Sequence, residues 1–188
     1  MSQPSIFRKF NEKDNIINVC QMKQSDLKKI KNKIVADYPY IAPYWDEYVL
    51  PKREIPKVVK CTDHIELLAN SAGNLLFFKQ RDSIYIPTLR FLHQFPFMLQ
   101  SQQADAGAIR FLISGANVMC PGLTSQGGCL TDASSGHYVQ ITAEGKEHAL
   151  AIGVMRMSSD EIKSVNKGIA IEVLHYLNDG LWTLKNVK

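Results

Sequence analysis

Residues 105–125 constrain the fold most, because this stretch alternates apolar runs with residues that end or turn them. Asp105 can cap a helix N-terminus by accepting hydrogen bonds from free backbone N–H groups. Gly115 tolerates the positive φ with which many helices end. The apolar residues between them recur four positions apart, which predicts a short helix with one apolar side. A strand over residues 116–120 and a tight turn at Pro121-Gly122 are predicted to follow.

Length and composition bound the class of protein. With 188 residues, of which 45% are hydrophobic, the chain can bury the core of one large or two small domains. No apolar run approaches the roughly 20 residues that a membrane-spanning helix needs, and residues 1–10 lack the apolar segment of a secretory signal. We therefore expect a cytoplasmic protein. Four widely spaced cysteines without a Cys-x-x-Cys pair predict reduced, mostly buried thiols.

Charge is distributed unevenly along the chain. Residues 1–97 hold 15 Lys and Arg against 10 Asp and Glu, whereas residues 98–188 hold 7 against 8, so the halves carry +5 and −1. Charge alone therefore predicts that a polyanion would contact the N-terminal half.

Local patterns predict an α+β protein with two domains, residues 1–98 and residues 99–183. In the first, strands are predicted over 5–10 and 16–22, then a helix from Ser25 to before Pro39, and then a strand-rich stretch. The polar residues 100–103 mark the link between the domains.

In the second domain, several strands and a helix within about 80 residues fit a small closed, barrel-like sheet. The helix is predicted from a capping box, in which Ser158 is the N-cap and Glu161 stands three residues later.

Two surface features of the first domain have more than one interpretation. The predicted helix carries Lys28, Lys29, Lys31 and Lys33 on one face, which is either a solvated surface or a phosphate-facing patch. The aromatic cluster that follows is core packing, a partner-protein interface or a base-stacking surface; its candidate partner-binding residues are Tyr40, Tyr44, Trp45 and Tyr48.

Common catalytic motifs are missing from the sequence. The chain has no Gly-x-Ser-x-Gly, no phosphate-loop lysine motif and no dinucleotide-binding glycine motif. Cys61 and His64 could form half of a metal site, but no second half with suitable spacing follows. His93 and His175 are expected to be packed residues. We therefore expect a protein that is not an enzyme and holds no metal or cofactor.

The pattern Asp-x-Gly-Ala, Gly-Ala and Pro-Gly-Leu within residues 105–123 resembles the opening of a PUA domain, an RNA-binding module. The pattern continues in Ala151-Ile152-Gly153 and Lys167-Gly168-Ile169-Ala170. Almost end to end, the chain resembles the malignant T-cell-amplified sequence family. The matching segments include Phe7-Arg-Lys-Phe10, Met119-Cys-Pro-Gly-Leu-Thr-Ser125 and His175-Tyr-Leu-Asn-Asp-Gly-Leu-Trp182.

This resemblance implies an N-terminal domain packed on a C-terminal PUA pseudo-barrel. It also implies a translation factor that pairs with the density-regulated protein, which supplies an initiation-factor-like domain. Together the two proteins would act on the small ribosomal subunit in reinitiation, recycling and tRNA handling near the P site.

Because the second half has no charge excess, RNA contact there is expected to depend on a glycine-lined corner and a few cations. The corner residues are predicted to be Gly115, Ala116, Asn117, Pro121, Gly122 and Leu123. The candidate phosphate contacts are Arg110, Lys146, Arg156 and Lys167. The alternative for the glycines is a purely structural role in a helix end and a turn.

Two other functions remain open. PUA domains accompany RNA-modification enzymes, so the chain could be a subunit of one, although its first 97 residues show no reactive constellation. It could also be an interaction adaptor that binds protein through the aromatic cluster.

Overall fold

The structure is a computed structural model that describes residues 5–188. Its strands form two five-stranded sheets. Each sheet lies in its own compact unit. The N-terminal unit comprises Asn11–Met98 and Leu184–Lys188, and the C-terminal unit comprises residues 5–10 and Leu99–Thr183. Both units combine helices with a sheet, so the predicted α+β class is confirmed. The predicted boundary between residues 98 and 99 stays a prediction.

The strands of the N-terminal unit are β1 (Ile16–Gln21), β2 (Lys57–Cys61), β3 (Ile65–Ala69), β4 (Leu75–Gln80) and β5 (Ile86–Pro87). Its α-helices are α1 (Glu12–Asn15), α2 (Gln24–Asp37) and α3 (Leu89–Leu92). Short 3₁₀ segments at Pro39–Tyr44, Thr62–His64 and Pro96–Met98 and a π-helical turn at Trp45–Val49 complete it.

The strands of the C-terminal unit are β6 (Gln100–Ala104), β7 (Val118–Met119), β8 (Tyr138–Ala143), β9 (Ala151–Met155) and β10 (Ile169–Tyr176). Its helices are the 3₁₀ turn Ala106–Ala108 and α4 (Ile109–Leu112), α5 (Cys120–Thr124), α6 (Ser159–Val165) and α7 (Gly180–Thr183).

The sheet of the N-terminal unit is a simple antiparallel meander in the order β1-β2-β3-β4-β5. Strands β3 and β4 are mostly apolar and buried, and the rings of Trp45 and Phe91 pack against Phe77 of β4. Phe77 on β4 is fully buried, and its ring stacks on that of Trp45 at 6.4 Å between centroids. The described part of the chain contains no helix long and apolar enough to cross a bilayer.

The sheet of the C-terminal unit has the order β6-β8-β9-β10-β7, in which β6 and β8 are parallel and the other pairs are antiparallel. Its core is built from small and branched side chains: Val139, Ile141, Ala151 and Ile171 are all fully buried. Such residues suit a curled sheet whose strands approach closely.

Helix α6 begins as predicted. The side chain of Ser158 accepts a hydrogen bond from the backbone of Glu161, and the Glu161 carboxylate accepts one from the backbone of Ser158. The helix ends at Asn166 in the left-handed conformation, with φ of 46°.

Three expectations about local structure are wrong. Residues 100–103 are not a link but part of β6, because their backbone pairs in parallel with β8. The glutamine side chains of this strand also bond the loop that follows residue 126. Gln102, for example, donates to the carbonyl of Thr131 at 3.0 Å and accepts from its N–H at 2.9 Å. Residues 5–10 form turns, not a strand, and bury Phe7 and Phe10.

The third wrong expectation is the tight turn at Pro121-Gly122, because these residues lie in the first turn of helix α5. Proline is compatible with that position, because the backbone N–H that it lacks would have no partner within the helix. The strand before it is also shorter than predicted, since only Val118 and Met119 pair with β10.

Each unit includes a short segment from the opposite end of the described chain. Residues 5–10 join the C-terminal unit, where Ser5 donates to the carbonyl of Leu174 at 2.6 Å and Gly180 donates to that of Phe7 at 2.9 Å. The last residues join the N-terminal unit, where Val187 is buried and donates to the carbonyl of Gly73 at 2.9 Å.

Candidate nucleic-acid interface

An open cleft of about 1020 Å³ lies in the C-terminal unit along the stretch that follows β6. Most of its lining comes from residues 105–119, and Arg8, Gly122 and Ile169 complete it. The cleft therefore gathers a turn, a helix and a glycine break that are adjacent in sequence.

Asp105 fixes the helix that forms one side of the cleft. One carboxylate oxygen accepts from the backbone N–H of Ala108 at 3.0 Å, which confirms the predicted cap. The other accepts from the hydroxyl of Ser125 at 2.7 Å, and the N–H of Asp105 donates to the carbonyl of Gly122 at 2.9 Å. Because these bonds use both carboxylate oxygens, Asp105 ties the start of this helix to α5.

Gly115 ends the helix with φ of 79°, as predicted. A β-carbon at this position would lie 2.6 Å from the ring of Tyr176, which is buried on β10. Next to it, the side-chain oxygen of Asn117 accepts from the backbone N–H of Val173 at 2.9 Å. The glycine break is thus pressed against β10, and the position of the corner is fixed by the sheet.

Two guanidinium groups give the cleft its positive charge. Arg110 lies over the ring of Phe111, at 4.7 Å from the centroid, and Arg8 enters from the N-terminal segment. The acidic side chain in the lining is Asp105, whose oxygens are already hydrogen-bonded. An anionic group such as a phosphate would therefore find two cations and little competing charge.

The rim of the cleft is apolar. The exposed fraction is 51% for Phe111 and 49% for Met119, and the neighbouring Ile113 is 40% exposed. Exposed apolar side chains grouped around a cleft are typical of a surface that binds another molecule.

The structure brings five of the predicted corner and phosphate residues into this cleft: Arg110, Gly115, Ala116, Asn117 and Gly122. Pro121 lies beside them as the second residue of α5, and Leu123 is buried in the core of the unit. Leu123 therefore supports the corner from below and presents no surface to a ligand.

The other three predicted cations do not line the cleft. Lys146 and Lys167 are exposed in turns, at the end of β8 and after α6. The guanidinium of Arg156 forms an ion pair with Glu172, so part of its charge is already offset.

The predicted partner-binding aromatics of the N-terminal unit divide into two groups. Tyr40, Tyr44 and Tyr48 are exposed, by 77%, 41% and 61%. Trp45 is 1% exposed because its ring packs into the core against Phe77, so it presents no surface to a partner.

Sequence patterns give no indication of Arg8, Phe111 and Met119 as cleft residues. Arg8 is almost a hundred positions from Asp105, and only the docking of the N-terminal segment brings it there. Phe111 is an apolar residue of the helix, but its ring is half exposed. That mismatch becomes visible only in the folded chain.

Burial and bonding differ among the cysteines and histidines considered as reactive or metal-binding residues. Burial raises the pKa of the Cys61 thiol to about 12, so this thiol stays protonated at neutral pH. Cys120 is also buried, whereas Cys20 and Cys129 are exposed, so the prediction of mostly buried thiols holds for half of them.

The two histidines that were expected to be packed differ in exposure: His175 is 1% exposed, and His93 on the turn after α3 is half-buried. The His175 ring bonds Asp179 at 2.8 Å and packs on Phe7 at 5.8 Å between centroids. Within residues 5–188, no three His, Cys, Asp or Glu side chains are grouped closely enough to hold a metal ion.

Two models of known protein families match successive parts of the chain. Residues 10–96 match the model of the pre-PUA-like domain, and residues 101–177 match that of the PUA domain. The PUA fold predicted from the glycine pattern is therefore confirmed.

Relatives match over nearly the whole chain. The malignant T-cell-amplified sequence 1 homolog of Drosophila melanogaster is 53% identical over 183 residues, which cover 97% of this chain and 100% of the relative. Translation machinery-associated protein 20 of Eremothecium gossypii is 42% identical over 185 residues, with coverage of 97% and 100%. A crystal structure of a hypothetical protein from Pyrococcus horikoshii shares the fold, with a TM-score of 0.68, 23% identity and coverage of 89% and 99%.

Proposed function

Because the chain belongs to the malignant T-cell-amplified sequence family, we propose that it is a non-catalytic, RNA-binding translation factor that acts on the small ribosomal subunit. The observation that carries this proposal is a PUA domain within a chain that is related, end to end, to a protein named for the translation machinery. A cytoplasmic location fits this role.

The finer steps follow from the family resemblance. The chain acts with a homologue of the density-regulated protein in translation reinitiation and post-termination recycling, and it handles tRNA near the P site. Its contribution is binding and positioning, since the groups considered for chemistry are buried or hydrogen-bonded.

The cleft of the C-terminal unit supplies a first contact with RNA. Arg8 and Arg110 face an open volume whose lining includes Gly107, Gly115 and Ala116, so a phosphate can approach the backbone closely at these positions. Gly115, Ala116 and Asn117 shape the corner, and the exposed Lys146 and Lys167, which lie outside the cleft lining, are further candidate phosphate contacts.

Co-sedimentation with purified small ribosomal subunits tests the proposal. We expect association at about 50 mM salt that weakens strongly towards about 200 mM, because phosphate contacts release counterions. The variant Arg8→Gln/Arg110→Gln should bind more weakly, whereas Lys163→Gln, an exposed position of the same unit outside the cleft, should not. Absence of association at low salt would contradict the proposed function.

The apolar rim favours a second use of the same cleft, which is docking of an apolar segment of the partner protein. Half-exposed Phe111 and Met119 flank it, and aromatic and methionine side chains are typical of protein interfaces. Phe111→Ser separates the two uses. If the cleft binds the partner, Phe111→Ser loses partner binding and keeps direct association with RNA. If the cleft binds RNA, Arg110→Gln loses association with RNA and keeps partner binding.

A further inference from the structure

A second groove, in the N-terminal unit, lies between α2 and the β3–β4 hairpin. Its volume is about 540 Å³. The lining from the helix consists of Asp26, Lys29, Ile30, Asn32 and Lys33, and the lining from the sheet side consists of Glu66, Lys79 and Tyr85. Lys29 and Lys33 belong to the lysine-bearing face of α2, for which the sequence allows either a solvated surface or a phosphate-facing patch.

The acidic group on the sheet side is already satisfied. The Glu66 carboxylate lies 3.3 Å from the ammonium of Lys79 and accepts a hydrogen bond from the Tyr85 hydroxyl at 2.6 Å. Burial, together with this bond, raises the pKa of Tyr85, so the hydroxyl remains a donor. The negative charge of Glu66 is therefore offset within the groove.

The helix side carries two cations that are available to a ligand. Lys29 and Lys33 are exposed and one turn apart on α2, where side chains four positions apart lie on the same face. Lys29 approaches Asp26 only to 3.9 Å, and both side chains are more than half exposed, so this pair contributes little. The ion pairs formed among residues 5–188 do not include Lys33.

The charge of the whole unit points in the same direction. Residues 11–98 and 184–188 together hold 15 Lys and Arg against 10 Asp and Glu, a net charge of +5. The rest of the chain holds 7 against 8, a net charge of −1. A polyanion is therefore attracted to the unit that holds the groove.

The groove is unsuited to reading bases. The aromatic residue in its lining, Tyr85, is 5% exposed, and the ammonium of Lys79 covers its ring at 5.0 Å from the centroid. A base has no free ring face on which to stack. Contact through ammonium groups alone recognises phosphates and carries no sequence information.

We propose that this groove binds the phosphate backbone of RNA, with Lys29 and Lys33 contacting neighbouring phosphates regardless of base sequence. The proposal rests on the function proposed above, in that it assumes an RNA ligand. It locates the main electrostatic contact outside the PUA domain.

The test measures binding of the full chain to a uridine and an adenosine oligonucleotide of equal length by fluorescence anisotropy, from about 50 to 200 mM salt. Lys29→Gln/Lys33→Gln removes two phosphate contacts, so the slope of log K against log salt should fall by about 1.4. Binding at about 100 mM salt should weaken about 25-fold for both oligonucleotides. Glutamine preserves helix propensity, and the unfolding midpoint verifies that the variant is folded.

Two matched variants complete the test. Lys52→Gln/Arg53→Gln removes two exposed charges of the same unit outside the groove and should keep the parent slope. Lys29→Arg/Lys33→Arg retains both charges and should also keep it.

The outcomes separate this proposal from the proposed function. If the parent protein binds neither oligonucleotides nor small subunits, the proposed function fails. If it binds and Lys29→Gln/Lys33→Gln keeps the parent slope, the groove proposal alone is overturned. A loss confined to one base sequence also overturns it. Binding of a poly-glutamate peptide is measured in the same way, and a loss of this binding with RNA binding intact overturns the proposal too, because the ligand is then an acidic protein segment.

Discussion

The ring of Tyr176 fills the space into which a β-carbon on Gly115 would project, with ring atoms 2.6 Å from that position. The φ of Gly115 is 79°, a value that other residues adopt only with strain. Two independent constraints, one of backbone and one of packing, therefore require glycine at the corner of the cleft.

Gly115→Ala should lower the free energy of unfolding by about 2–4 kcal/mol, since it adds a steric clash with a buried ring to the cost of the positive φ. Urea denaturation measures this loss. Gly136→Ala is a matched control, because Gly136 has φ of 86° but no atom within 4 Å of the place that a β-carbon would occupy. The control should lose only about 1 kcal/mol. Equal losses in the two variants would show that the Tyr176 contact is unimportant.

Asp105→Ala should cost about 1–2 kcal/mol, because it removes a helix cap and the acceptor of the Ser125 hydroxyl. Asp105→Asn keeps one side-chain oxygen and should cost less. Urea denaturation measures the difference. If the alanine variant unfolds at the parent urea concentration, the carboxylate does not hold the cleft helix to α5.

Val187→Ser should destabilise the N-terminal unit by about 2 kcal/mol, because Val187 is buried at 2% exposure against the Gly73 turn. Hydrogen exchange of the β3–β4 hairpin amides reports this loss locally. Lys185→Ser, a change at an exposed position of the same tail, should leave the exchange unchanged. Similar protection in both variants would indicate that the tail contributes nothing to the unit.

Glu161 predicts a pH dependence of stability. Hydrogen bonds from the backbone and the hydroxyl of Ser158 lower the pKa of the Glu161 carboxyl below its usual value. Because the folded pKa is below the unfolded one, this carboxylate contributes stability above the unfolded pKa, and the contribution is lost as the pH falls through the folded pKa.

The stability advantage of the parent over Glu161→Gln should therefore be largest near neutral pH and disappear in acid, as measured by urea denaturation across a pH series. Glu147→Gln, at an exposed position, gives the reference profile. A difference that stays constant with pH would rule out a role for the carboxylate charge.

Features set by neighbouring residues could be predicted from the sequence. The Asp105 cap, the positive φ of Gly115 and the Ser158–Glu161 capping box depend on contacts within a few positions, and the structure contains all three. The predictions for Pro121-Gly122 and for residues 100–103 are wrong because these segments depend on distant partners. Strand β6 pairs with β8 about 40 residues away, which no local pattern of polar glutamines indicates.

The same limit applies to the cleft. Its glycine corner was predictable because residues 105–119 are contiguous and carry a family pattern. The contribution of Arg8 was not, because it depends on packing across the length of the chain. Local patterns also could not predict which aromatic side chains are exposed. They do not distinguish the buried Trp45 from the exposed Tyr48 three positions away.

The segment that each unit includes from the opposite end of the chain has a consequence for synthesis on the ribosome. Phe7 leaves the exit tunnel long before its partners around Gly180 are made, and the Gly73 turn must likewise wait for Val187. The C-terminal unit therefore waits for the segment around Gly180 and the N-terminal unit for Val187, although most of the N-terminal unit is synthesised much earlier. A cut near residue 98 would therefore separate residues 11–98 from Val187 and residues 99–183 from Phe7, and the incompletely packed fragments would be exposed to degradation.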